Sequence, residues 1–189
     1  MQQKYFDVMD ANPVIAAVKD EKMLSEACLL EEIQVIFLLF GDLCTLPGLV
    51  DQIAEAGKFP VIHLDLVTGL GAKEIAVDFV KTYTKACGII STKPALVKRS
   101  KELGMLSILR VFLLDSMAYG NLERQVLQAK PDLIEILPGV MPKMIRKVSD
   151  LVHVPVIAGG LISDREDVLA ALNAGAFCVS TTKTEIWRM

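Results

Sequence analysis

Short apolar runs recur along the chain, each followed by a stretch whose apolar residues return with helical spacing, and glycine or polar residues punctuate the joints. Val14–Val18 leads into a helical pattern over residues 21–31, and residues 33–40 lead into one over about 46–56. Residues 60–66 pass through Thr68-Gly69-Leu70-Gly71 to a helix ending at Val80, and Gly88–Ser91 precedes a helix ending near Leu103. Residues 106–114 meet Asp115-Ser116, either of which caps a helix through Ala129. Leu133–Leu137 ends at Pro138-Gly139 before a short helix around residues 144–148. Residues 154–158 end at Gly159-Gly160 before a helix opened by Ser163 or Asp164, where Ser163 and Glu166 have capping-box spacing. Residues 177–180 close the series, and only a final turn over about residues 184–189 follows.

Continuous Val/Ile/Leu runs mark parallel strands covered on both faces, and their alternation with helices predicts β/α units. Eight such units with no Pro/Ser-rich linker predict one domain over residues 1–189, a compact (β/α)8 TIM-type barrel with short loops and a truncated last helix. An open doubly wound sheet is the alternative, because barrels typically run to about 200 residues or more.

Composition narrows the picture. Of the 189 residues, 52% are hydrophobic, enough for a sizeable core. The longest clear apolar run, residues 35–40, is closed by Gly41 and Asp42, whereas a membrane span needs about 18 or more. The opening Met1-Gln2-Gln3-Lys4-Tyr5-Phe6-Asp7 has no signal-peptide form, so a cytoplasmic protein without a membrane partner is expected. Cys28, Cys44, Cys87 and Cys178 lack metal-like spacing and read as free thiols in a reducing compartment. A net charge of −3 gives no overall electrostatic footprint for nucleic acid.

In a β/α barrel the rim where strands pass into helices presents loops and helix N-termini together. Gly159 and Gly160 lie there after the seventh strand and let a backbone approach an anion closely. Ser180, Thr181 and Thr182 hold the equivalent point after the eighth strand, and neighbouring loops converge. This combination predicts a phosphate site. Asp65, near the end of the third strand, is a candidate for ligand hydroxyls, with His63 two residues earlier read as a satisfied core histidine. Arg110 and Glu135 fall on adjacent strands and form an ion pair that is structural or touches the ligand. Lys93, after the fourth strand, reaches a phosphate or hydroxyl, or is a solvated loop lysine. His63 and His153 are the sole histidines, so no zinc set exists, and His153 falls on the opposite rim.

The rim segments resemble those of the glycerol-3-phosphate-responsive antiterminators, regulators of glycerol uptake operons. The resemblance rests on His63-Leu64-Asp65-Leu66-Val67-Thr68-Gly69-Leu70, Gly88-Ile89-Ile90-Ser91-Thr92-Lys93 and Ile134-Glu135-Ile136-Leu137-Pro138-Gly139-Val140-Met141-Pro142. Ile157-Ala158-Gly159-Gly160-Leu161-Ile162, residues 175–182 and Trp187 complete it, and it runs from Pro13 to Trp187. It implies a sensor without established catalysis that binds glycerol 3-phosphate as effector. It further implies binding to the leader mRNA of glycerol-catabolic genes and prevention of premature termination. No cofactor is implied beyond the effector, while an accompanying divalent metal and a homo-oligomeric state stay open.

RNA binding has weak support in the residues themselves, since aromatics are 6% of the chain. The candidate contacts are Lys98, Arg99 and Lys101 on one helix and Lys143, Arg146 and Lys147 on another. The alternative to a sensor is a barrel enzyme (isomerase, aldolase or lyase) acting on a small sugar or triose phosphate, with Asp65 or Glu135 as acid/base.

Overall fold

The computed structural model describes residues 3–189; Met1 and Gln2, which head the opening segment and the domain expected over 1–189, lie outside the described residues. Eight parallel strands form a closed barrel in sequence order: β1 (Val14–Val18), β2 (Val35–Leu38), β3 (Phe59–His63), β4 (Gly88–Ser91), β5 (Leu106–Phe112), β6 (Leu133–Leu137), β7 (Val156–Gly159) and β8 (Cys178–Thr181). Closure is direct. β1 pairs with β2 through Ala16 and Ile36 and with β8 through Ile15 and Ser180, which removes the open-sheet alternative.

Helices α2 (Glu21–Leu29), α3 (Leu46–Glu55), α4 (Ile75–Tyr83), α5 (Pro94–Glu102), α6 (Ser116–Ala129), α7 (Pro142–Leu151) and α8 (Arg165–Asn173) return the chain between strands. Asp20 and Asp115 accept from the amides of Met23 and Ala118, 2.8 Å in each case, and so fix the starts of α2 and α6. Pro47, Pro94 and Pro142 open α3, α5 and α7, where a missing N–H costs nothing. The α8 cap differs from the expected box by one residue. Asp164 accepts from the Asp167 amide, while the Asp167 carboxylate accepts from the amide and hydroxyl of Ser163. Glu166 therefore takes no part. After β8 only a 3-10 turn, Ile186–Arg188, remains of a last helix, and strands of four to seven residues fit the barrel into the short chain.

Alternation along the strands separates two cores. On each strand one set of alternate positions, such as Ile36, Ile62, Ile134 and Val179, packs outward under the helices. Ile15, Phe37, Val61, Ile90, Ile108 and Ile157 fill the barrel interior. Its N-terminal mouth is closed by an element the periodicity did not predict, α1 (Gln3–Ala11). Met9, 1% exposed, lies 3.8 Å from Cys178 Sγ, Tyr5 meets Phe59 edge-on and Phe6 packs on Phe177. Tyr5, Phe6, Val8 and Met9 give α1 an apolar face between Lys4, Asp7 and Asp10, but this short stripe precedes the first strand and belongs to no β/α unit. Among the described residues α1 thus covers the end of the interior opposite the C-terminal rim.

Candidate functional site

The inward positions change character near that rim. Ile108 is followed two residues on by Arg110, Leu133 by Glu135, Ile157 by Gly159 and Cys178 by Ser180. Arg110 and Glu135 are register partners, and Arg110 Nε donates to Glu135 Oε2. Ser180 Oγ donates to Glu135 Oε1 at 2.5 Å. Both oxygens of a fully buried carboxylate are thereby occupied, as burial of a charge requires. Gly159 belongs to the same group, because a β-carbon there would lie 2.6 Å from Glu135 Oε1 and 2.7 Å from Ser180 Oγ. Its glycine is demanded by the ion pair, a reason distinct from the anion approach that its position suggested.

Above this floor lies a cavity of about 440 Å3, within the range of small-molecule sites. Arg110, Glu135, Gly160, Ser180, Thr181 and Thr182 line it, so most of the expected ligand residues share one space. Gly160 sits at φ +73°, a turn that leaves the backbone bare at the cavity wall. Thr181 braces the two loops: its hydroxyl donates to the Ile162 carbonyl at 2.8 Å and accepts from the Lys183 amide at 3.1 Å. Trp187, wholly buried, holds the same loop by donating from Nε1 to the Thr181 carbonyl at 2.9 Å. Lys183 and Leu161 also line the cavity and were not foreseen as site residues. Lys183 was legible as the residue after the Ser180–Thr182 segment, whereas nothing in the sequence marked the φ of +62° at Leu161.

Asp65 and Lys93 stand apart. Asp65 lies in a 3-10 turn, Leu64–Leu66, and neither residue lines the cavity. Asp65 accepts from Ser91 Oγ (2.8 Å), the Thr92 amide (2.7 Å) and Thr92 Oγ1 (2.8 Å), and Lys93 Nζ lies 3.5 Å away. Burial pushes its carboxyl up, but these hydrogen bonds, with His63 adding to them, outweigh burial and hold it below its ordinary value. This network ties β3 to the start of α5.

His63 departs from the satisfied core histidine expected. It is 2% exposed, and its Nδ1 is the one buried side-chain nitrogen or oxygen without a hydrogen-bond partner among the described residues. Burial first, and the Arg110 charge second, push its pKa down to about 4 against the pull of Asp65, so the ring is neutral at physiological pH.

The two basic clusters differ. On α5, Lys98 reaches Glu102 (4.0 Å), Arg99 reaches Asp78 (2.6 Å) and Glu102 (3.3 Å), and Lys101 reaches Asp132 (3.0 Å). On α7, Lys143, Arg146 and Lys147 are exposed and have no carboxylate oxygen within 4.0 Å among the described residues. Arg146 donates instead to the Asn173 carbonyl at 3.4 Å. Among the described residues no group of three or more His, Cys, Asp and Glu side chains is placed to hold a metal ion. No described helix is long and apolar enough to cross a membrane.

Fold and rim together define a (β/α)8 barrel with a ligand-sized cavity over the loops after β7 and β8. The family model of the glycerol-3-phosphate-responsive antiterminators matches residues 14–187, and the chain belongs to that family. YgcP of Escherichia coli (strain K12) is 46% identical over 178 residues, which span 94% of this chain and 93% of the relative. The crystal structure of the glycerol uptake operon antiterminator regulatory protein of Listeria monocytogenes superposes with a TM-score of 0.89 at 34% identity, over 92% of this chain and 94% of the other. A glycerol uptake operon antiterminator-related protein of Thermotoga maritima gives 0.83 at 33% identity, over 94% and 99%.

Proposed function

We propose that the rim cavity binds glycerol 3-phosphate, and that occupancy controls binding of the chain to leader mRNA of glycerol-utilisation genes, where it prevents premature termination. One observation carries the ligand half: a single cavity joins the bare backbone at Gly160 to the Thr182–Lys183 segment above Arg110. Glu135 offsets the charge of Arg110, so Lys183 leaves the wall with a cationic excess suited to one phosphate. The N–H groups that Arg110 does not spend on Glu135 are donors for ligand hydroxyls. Family membership supports the regulatory half.

An acid/base role for Glu135 or Asp65 has no comparable support, because each carboxylate has both oxygens engaged by protein donors. Calorimetry with glycerol 3-phosphate, glycerol and inorganic phosphate tests the ligand. Saturable binding of glycerol 3-phosphate, weakened about tenfold or more in Thr182→Glu, is expected; absence of binding overturns the reading. In vitro transcription across a leader terminator tests the second half. Read-through should rise only with protein and glycerol 3-phosphate together.

A further inference from the structure

The chain is acidic overall, so an unneutralised run of cations on it is an exception. Lys143, Arg146 and Lys147 make such a run, spaced i, i+3 and i+4 on the outer face of α7, with Asp150 at its far end. The α5 cations, equally exposed in sequence terms, are each committed to a carboxylate.

A second feature meets the first at Lys147. This side chain also lines a groove between α6 and α7 with Tyr119, Met144, Leu114, which is 80% exposed, and Asp115, whose carboxylate caps α6 by accepting from the Ala118 amide. A track of cations beside an aromatic-bearing groove is what single-stranded RNA requires, phosphates on one and an unstacked base against the other.

The third feature joins this face to the ligand. The loop that opens α7 stacks backbone against backbone on the cavity loop: the Gly139 amide donates to the Gly160 carbonyl at 3.0 Å. A β-carbon at position 139 would lie 2.8 Å from the Gly159 nitrogen, so the two loops have no slack between them. The Gly160 turn at the cavity and the loop that opens α7 are thus in direct backbone contact.

Resting on the RNA reading above, we propose that α7 and the α6–α7 groove are the RNA-contacting face, with Lys143, Arg146 and Lys147 on the phosphates and Tyr119 under a base. The Gly139–Gly160 contact links that face to the glycerol 3-phosphate cavity.

Filter binding of in vitro-transcribed leader RNA of a glycerol-utilisation operon, over a salt series with glycerol 3-phosphate present, tests this. Three variants are compared with the parent: Lys143→Gln/Arg146→Gln/Lys147→Gln, Lys98→Gln/Lys101→Gln, and Tyr119→Ala. The α7 variant should bind about tenfold more weakly or worse, and its negative slope of log K against log salt should become shallower by about 2, at roughly 0.7 per phosphate contact. Tyr119→Ala should cost about tenfold with the slope unchanged. The α5 variant should match the parent, and calorimetry should show the same glycerol 3-phosphate affinity in all. An α7 variant that binds RNA like the parent, or an α5 variant that loses as much, overturns this surface and leaves the RNA reading standing. A parent chain that binds no RNA overturns both.

Discussion

A β-carbon on Gly159 would lie 2.6 Å from Oε1 of Glu135, so the missing side chain is the space that the buried carboxylate fills. Gly159→Ala should therefore push Glu135 away from Ser180 and Arg110. A loss of about 1–3 kcal/mol in urea unfolding is expected, the usual cost of overpacking. Unchanged stability would mean that the interior yields at no cost.

The Arg110–Glu135 pair predicts a non-additive pair of mutations. Arg110→Met strands a carboxylate that is 0% exposed, and a loss of about 3–5 kcal/mol is expected. Replacing both partners, as Arg110→Met/Glu135→Leu, should recover most of that stability because no unpaired charge remains. The same double variant should fail to bind glycerol 3-phosphate in calorimetry. A double variant no more stable than the single one would show that the pair is not the unit described.

His63 predicts a pH dependence. Its pKa is about 4 when folded and 6.5 ordinarily, so the unfolded chain binds the extra proton first as pH falls. The stability it contributes is complete above pH 6.5 and is lost progressively on the way down to about 4. The loss amounts to roughly 3 kcal/mol. Asp65, held below its ordinary 3.8, acts in the same direction but only below that value. His63→Gln should flatten the stability profile between pH 6.5 and 4 in chemical denaturation. An unaltered profile would refute burial of a neutral imidazole.

The barrel was legible because its strands are fully buried and their apolar runs are continuous; Val14–Val18, Gly88–Ser91 and Leu133–Leu137 emerge with the bounds the periodicity predicts. Helix α1 was not, since its stripe of Tyr5, Phe6 and Met9 is short and stands before the first strand, outside the strand–helix alternation. The rim residues were legible by position, because strand parity turns Arg110, Glu135 and Ser180 into one interior. Position could not say which donor is spent on which acceptor. Thr181 reads in sequence as a phosphate hydroxyl, yet its side chain ties Ile162 to Lys183. Asp65 reads as a ligand group, yet Ser91 and Thr92 claim it. Such partners come from segments far apart in sequence and are fixed only on closure of the barrel.

The bracing of the β8 loop gives the last prediction. Thr181→Val keeps the volume but removes the hydroxyl that joins the β7 loop to the β8 loop, and it leaves the Lys183 amide without that acceptor. Trp187→Phe keeps an aromatic ring in place and removes the donor to the Thr181 carbonyl. Each change forfeits a hydrogen bond at a buried position, an expected cost of about 1–2 kcal/mol. The cavity should register the change as well as the fold, because Thr182 and Lys183 are exposed and have Thr181 as their anchor. Glycerol 3-phosphate affinity should fall about tenfold in either variant, while calorimetric melting moves by only a few degrees. Full affinity in a destabilised Thr181→Val would show that the two loops form the site without being tied together.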